Sequence, residues 1–230
     1  MRPEVDNTEY AMRHQKARVL MAENDLHALM ITEPTNLFQH AIVESDADVG
    51  WVIVCIGDYD PQQSAGSSLP ERRLKDSDLL WVDLGVTLNG YHTDYCRGMA
   101  VGAASSEQLG KWDKVRKILE AGVDAVIPGM PCSTIYKAQV DAAEKLKVDM
   151  TSWPARRFGH GSGLHTTEPP YISLDDDTIL EPGMILHIEP GSIEKDGIYV
   201  LEEQVVVTEN GCDVLSHAPW ELSVYKGWDV

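Results

Sequence analysis

Apolar and polar residues alternate with a period of two on both sides of Asn89-Gly90, a dipeptide that is itself a strong hairpin signal. Strands are therefore expected over 79–88 and 91–97. With a two-residue turn, Leu88 faces Tyr91, Gly85 faces Asp94 and Asp83 faces Cys96. Leu84, Val86, Leu88, Tyr91 and Tyr95 then share one face, while Asp83, Gly85, Thr87, His92, Asp94 and Cys96 share the other. The two aspartates become diagonal neighbours, roughly 7–8 Å apart at the backbone and closer at the carboxylates. Gly85, opposite Asp94, leaves open space beside them. Carboxylates with apolar neighbours need protons, positive partners or metal ions.

The period changes to helical further on. Trp112, Val115, Ile118, Leu119 and Val126 predict a helix within 105–127, ended by Pro128-Gly129. Ser133 opens a second helix carrying Ile135, Tyr136, Val140, Ala143 and Leu146. Further strands are expected over 49–56, 184–189 and 198–207, with a turn at Asn210-Gly211. An amphipathic helix over 8–24 and a short strand over 26–31 open the chain, and 57–73 reads as a Gly-, Ser- and Pro-containing loop. The segment 159–163, GHGSG, reads as a tight backbone approach rather than a packed element.

Composition narrows the partners. The 230 residues suffice for one large domain, or one with a small appendage. With 19 basic against 37 acidic residues, the formal net charge is −18. Nucleic acid is excluded as an expected partner, because phosphate binding depends on Lys and Arg. Four widely spaced cysteines form no CxxC pair, so a reducing compartment is expected. The N-terminal residues contain no apolar h-region and no run reaches membrane-span length, so a cytoplasmic protein with no membrane partner is expected.

Other polar residues add to the hairpin pair. His160 lies between glycines, with His165 as its competitor for a ligand role. Within MILHIEPG, Glu189 shares a face with His187 and Ile185, and Leu186 and Ile188 form an apolar face. Glu202 and Glu203 point to opposite faces of their expected strand, so one of them points inward. Asp83, Asp94, His160, Glu189 and Glu202 together supply four carboxylates and one neutral imidazole, a formal charge of −4 that matches two divalent cations. Such an oxygen-rich donor set favours Mn²⁺, Co²⁺, Fe²⁺ or Zn²⁺.

The ordered blocks DLGVTLNGYHTDYCRG, GHGSGL…TEPP, LEPGMILHIEPG and LEEQVVVTENGCDVLS resemble the pita-bread metallohydrolases, peptidase family M24, across residues 79 to about 217. The resemblance lies with the branch of Xaa-Pro aminopeptidase, prolidase and creatinase. It implies an α+β fold, a curved and mostly antiparallel sheet covered by helices. It also implies that Asp83 binds one metal, Asp94 and Glu202 bridge two, His160 is the histidine ligand, and Glu189 both binds metal and handles a proton. Glu203 then becomes structural. A hydroxide between the metals would cleave an amide bond of a peptide or small amide substrate, and homodimers are common in the family.

The chain departs from this pattern in three ways. The segment before the hairpin, SAGSSLPERR, has no histidine, and Thr167 stands where peptidases usually carry another. His165, two residues earlier, is the expected substitute as a catalytic group. Only 46 residues separate Asn36 from Asp83, so 1–48 reads as a remnant of an N-terminal domain and 49–230 as a catalytic domain incomplete at its start. These departures keep open a small-amide hydrolase, a creatinase-like enzyme or metal-dependent lyase, and a non-catalytic shortened homologue.

Overall fold

The computed structural model describes residues 48–56, 74–153 and 156–225. The helix and strand expected over 8–24 and 26–31, the loop 57–73 and the proposed domain remnant up to residue 47 lie outside these residues. In chain order come β1 (Asp48–Ile56), β2 (Leu79–Leu88), β3 (Tyr91–His92) and β4 (Tyr95–Val101), then helices α1 (Ser106–Asp124) and α2 (Ser133–Leu146). After them follow β5 (Gly159–Gly161), β6 (Glu168–Tyr171), β7 (Ile185–Ile188), β8 (Gly191–Glu194), β9 (Gly197–Val200), β10 (Glu203–Val207), β11 (Cys212–Val214) and β12 (Ser223–Tyr225). One sheet runs β1-β2-β4-β12 with β3 beside β2, a second runs β11-β10-β7-β5-β6, and β8-β9 form a separate pair. All the pairings are antiparallel except β12 with β4. The fold is α+β, as the sequence implies.

The hairpin register is the expected one. Asn89 at φ 52° and Gly90 at φ 85° make the mirror-image turn that suits strand twist. Leu88 pairs with Tyr91 and Asp83 with Cys96. The expected strand 91–97 is nevertheless broken at Thr93-Asp94. Thr93 N–H donates to Val86 O at 2.9 Å, but the Thr93 hydroxyl, not its carbonyl, accepts from Val86 N–H at 3.1 Å. The side chain has displaced a ladder bond, and the chain departs from the strand at the aspartate.

Two further expectations are corrected. The run 198–207 is not one strand. It divides at Leu201-Glu202 into β9, which pairs with β8, and β10, which joins the second sheet. Periodicity could not reveal this, because both pieces are apolar and the two connecting residues are themselves buried. GHGSG, likewise, is a packed element: Gly159–Gly161 is a buried strand between β6 and β7. The tight approach is real, since Gly159 has φ 144° and a Cβ there would lie 2.1 Å from His187 O.

The helices cover the sheets. Ser105 and Gln108 form a reciprocal capping box that fixes the start of α1. Trp112, Val115 and Leu119 of α1 pack with Leu186, Ile188 and Val205 of the second sheet. Ile118, on the neighbouring stripe of the same helix, packs with Trp81 and Cys96 of the first sheet. Each fully buried aliphatic side chain here contributes about 1.5–3 kcal/mol. One helix therefore clamps both sheets, and the polar cluster lies where they meet. Among the described residues no helix is long and apolar enough to cross a membrane.

Candidate metal centre

Five elements deliver one polar cluster. Asp83 comes from the middle of β2, Asp94 from the break before β4, and His160 from the centre of β5. Glu189 follows β7 directly, and Glu202 occupies the link between β9 and β10. Ligand-capable atoms of Asp94, His160 and Glu202 lie within 4.8 Å of one another, as do those of Asp83, Glu189 and Glu202. The two triads share Glu202. Asp94 Oδ2 is 3.5 Å from His160 Nε2. His160 Nδ1 lies 3.0 Å from Gly161 O, so it carries the proton and Nε2 turns its lone pair towards the cluster.

The electrostatics are those of carboxylates crowded out of water. Burial, then the charges of Asp94 and Glu189, push the Asp83 pKa up to about 10. Burial and the neighbouring acids push Glu202 well above the carboxylate range. For Glu189 burial raises the value to about 7, with Asp94 adding to it and Arg157 opposing it. Four buried acceptors, Asp83 Oδ1, Asp94 Oδ1 and both oxygens of Glu202, have no hydrogen-bond partner among the described residues. Buried acceptors without donors are rare because each costs about 1–3 kcal/mol. Oxygen donors with one imidazole nitrogen, converging in two groups and otherwise unpartnered, fit divalent cations.

His165 lies elsewhere in this arrangement. It is exposed on the 163–167 turn, its backbone N–H donates to Glu168 Oε2 at 3.1 Å, and it belongs to neither triad. Glu203 is buried but turned away, bonded to Arg97 Nη2 at 2.8 Å, Ser216 Oγ at 2.7 Å and Trp220 Nε1 at 2.7 Å. Cys96 shares the ligand face but is fully buried beside Trp81 Nε1, and burial pushes its thiol well up, so it packs rather than reacts.

Three participants were not singled out by pattern. Arg97 donates to the carbonyls of Cys96 (2.9 Å) and Glu202 as well as to Glu203, pinning the link that carries Glu202. Arg157 stacks over Tyr171 with its guanidinium carbon 4.9 Å from the ring centroid, and the adjacent Phe158 O accepts from Glu189 N–H at 3.0 Å. His187, fully buried, contacts Glu202. Only His187 left a signal in the sequence, through its alternation with Glu189.

The sequence model of metallopeptidase family M24 matches residues 8–209. The chain belongs to that family. This M24 chain is 33% identical over 189 residues to the probable dipeptidase PepE of Mycobacterium tuberculosis, covering 80% of the chain and 48% of that protein. It is 34% identical over 154 residues to the Xaa-Pro dipeptidase of Pyrococcus furiosus, covering 66% of the chain and 43% of that protein. Its fold superimposes on the crystal structure of dipeptidase PepE from Mycobacterium ulcerans with a TM-score of 0.73 at 28% identity, over 90% of this chain and 57% of the other. The M24 chain thus spans about half the length of the curated relatives it matches, and its fold is the pita-bread fold of those structures.

Proposed function

We propose that the chain is a metal-dependent hydrolase of the Xaa-Pro peptidase type, cleaving an amide bond in a short peptide or small amide. The observation that carries this is the pair of triads sharing Glu202, with buried carboxylate oxygens that have no other partner. Asp94, His160 and Glu202 would hold one cation, and Asp83, Glu189 and Glu202 the other, with Asp94 close enough to Asp83 to serve both. When bound, two divalent cations such as Mn²⁺ or Co²⁺ supply Lewis acidity and make water acidic enough to attack near neutral pH.

The chain's own groups do the rest. Glu189, a partly buried carboxylate at the edge of the cluster beside β7, is placed to take a proton from the attacking water and pass it to the leaving amine. Glu202 and Asp83 are buried and aprotic once ionised, so they hold position rather than exchange protons. A cavity of about 440 Å³ lined by Arg156, Arg157, Tyr171 and Ser173 adjoins the strand that carries His160. Its two arginines suit a substrate that bears a carboxylate. His165, exposed on the 163–167 turn and outside both triads, would have to reach a bound substrate to polarise its carbonyl, a role that unchanged turnover in His165→Ala would rule out.

A second reading keeps the centre and changes the substrate to a small non-peptide amide, or the reaction to lyase chemistry. Thr167, at a position where M24 peptidases usually carry histidine, favours it. The four free cysteines and the acidic surface suit the cytoplasm, and a homodimer follows family habit. The test is elemental analysis of protein grown with Mn²⁺ supplied, beside Glu202→Ala, followed by Gly-Pro and Ala-Pro hydrolysis. About two ions per chain, lost in the variant, with dipeptide turnover supports the peptidase. Two ions with no turnover of either dipeptide moves the assignment to the second reading, and no ions removes the hydrolase altogether.

A further inference from the structure

His187 is 0% exposed, yet it is neither a core aliphatic nor a member of either triad. Its backbone pairs with His160 across β5 and β7, so the two rings share a face, and they stack with centroids 5.1 Å apart at 28°. Its Nε2 lies 2.7 Å from Ser162 Oγ. Its Nδ1 lies 3.3 Å from Glu202 Oε1, close to that oxygen but short of hydrogen-bond geometry, and the Asp94 backbone also approaches the ring. A fully buried imidazole nitrogen directed at the one carboxylate common to both triads calls for a role.

We propose that His187 is a positioning residue of the metal centre: Ser162 fixes its Nε2, and its Nδ1–H holds the Glu202 carboxylate in the orientation that both triads require. This rests on the two-metal reading above. The hydrogen-bond assignment follows from the partners. An ionised carboxylate only accepts, so Nδ1 must carry the proton, and Nε2 then accepts from the Ser162 hydroxyl. A neutral imidazole, which its buried setting demands, can serve both contacts once the Glu202 carboxylate turns towards Nδ1. The close backbone approach at Gly159 brings β5 and β7 together at this point and fixes the depth of the ring.

Glu202 needs such a partner because it lies on a link and not within a strand. Arg97 secures the backbone of that link through Glu202 O, but among the described residues no donor bonds its carboxylate, and the His187 Nδ1 is the ring nitrogen poised beside it. Partners of this kind typically change metal affinity 10–100-fold without themselves binding the ion.

The test compares three substitutions by calorimetric Mn²⁺ titration and by the visible absorption of the Co²⁺-loaded protein, with thermal melts of the metal-free chains as the folding control. In His187→Asn the amide nitrogen takes the place of Nδ1 and keeps the bond to Glu202. In His187→Gln it takes the place of Nε2 and keeps only the bond to Ser162. Expected is a loss of 10–100-fold in Mn²⁺ affinity and an altered Co²⁺ spectrum in His187→Ala and His187→Gln, with recovery to within a few-fold in His187→Asn. If His187→Ala does not fold, the Asn and Gln pair decides alone. Wild-type affinity in all three, or Gln recovering binding where Asn does not, overturns the role while leaving the two-metal centre standing. A wild-type chain that binds no pair of ions overturns both.

Discussion

Loading the centre should release protons, and the number can be worked from the structure. In the metal-free chain at pH 7, Asp83 with a pKa of about 10 is protonated, and so is Glu202, whose value lies well above the carboxylate range. Glu189, near 7, is about half protonated. Coordination requires all three as carboxylates. Binding two cations should therefore expel roughly two to three protons at pH 7. The assay is calorimetric titration of chelator-stripped protein with Mn²⁺ in buffers of different ionisation enthalpy, where the slope of observed heat gives the proton count. Below pH 7, as Glu189 gains its proton fully, the count should rise towards three. Above pH 8 it should fall towards two. The same linkage makes the overall apparent affinity for the ion pair climb by about two to three powers of ten per pH unit near neutrality. A count below one proton, with affinity flat between pH 6 and 8, would refute the claim that these carboxylates are protonated by burial.

Other outcomes follow from the same geometry. Because Asp83, Glu189 and Glu202 have raised values in the folded state, the metal-free fold binds more protons than the unfolded chain. Its stability should be greatest near pH 4–5 and fall as pH rises towards 7 and beyond, by several kcal/mol in all. Thermal melts with and without chelator check this, and saturating Mn²⁺ should flatten the profile. Glu202→Gln removes a buried acid whose ionisation would cost stability as pH rises, so the metal-free variant should melt at or above wild type while losing tight binding of two ions. Arg97→Met strips the only ion-pair partner that Glu203 has among the described residues, and chemical denaturation should register about 3–5 kcal/mol of destabilisation. Gly159→Ala would push a Cβ to 2.1 Å from His187 O, and it should fail to accumulate as folded protein or lose more than about 2 kcal/mol.

The hairpin was legible because everything that specifies it is local. Asn89-Gly90 sets the turn, the turn sets the register, and the register places Asp83 opposite Cys96. The helices were legible for the same reason, through a cap and an apolar stripe. What escaped notice depended on contacts between distant segments. The division at Leu201-Glu202 occurs because β9 and β10 find different partner strands, information that the apolar run 198–207 does not hold. GHGSG reads as a tight backbone approach rather than a packed element because three residues of strand are too few to show a period, and only the neighbouring β6 and β7 make it one. Alternation alone left the choice between Glu202 and Glu203 open. In three dimensions Arg97, Ser216 and Trp220 bind Glu203, while Glu202 is left facing the acidic cluster.

The position of Glu202 gives the centre a mechanical property. The residue before its link belongs to the β8-β9 pair and the residue after it begins the second sheet, so the shared carboxylate spans a joint between two bodies. Any sliding of one body against the other is read out as a change in the spacing of the two triads. Reaction geometry tolerates little of this, since a displacement of about 1 Å can cost roughly a hundredfold in rate. The packing of α1 against β9 through Ile118 and against the second sheet through Leu119 is then the brace that keeps the gauge fixed. The spacing of the acidic cluster is thereby tied to helix residues that belong to neither triad.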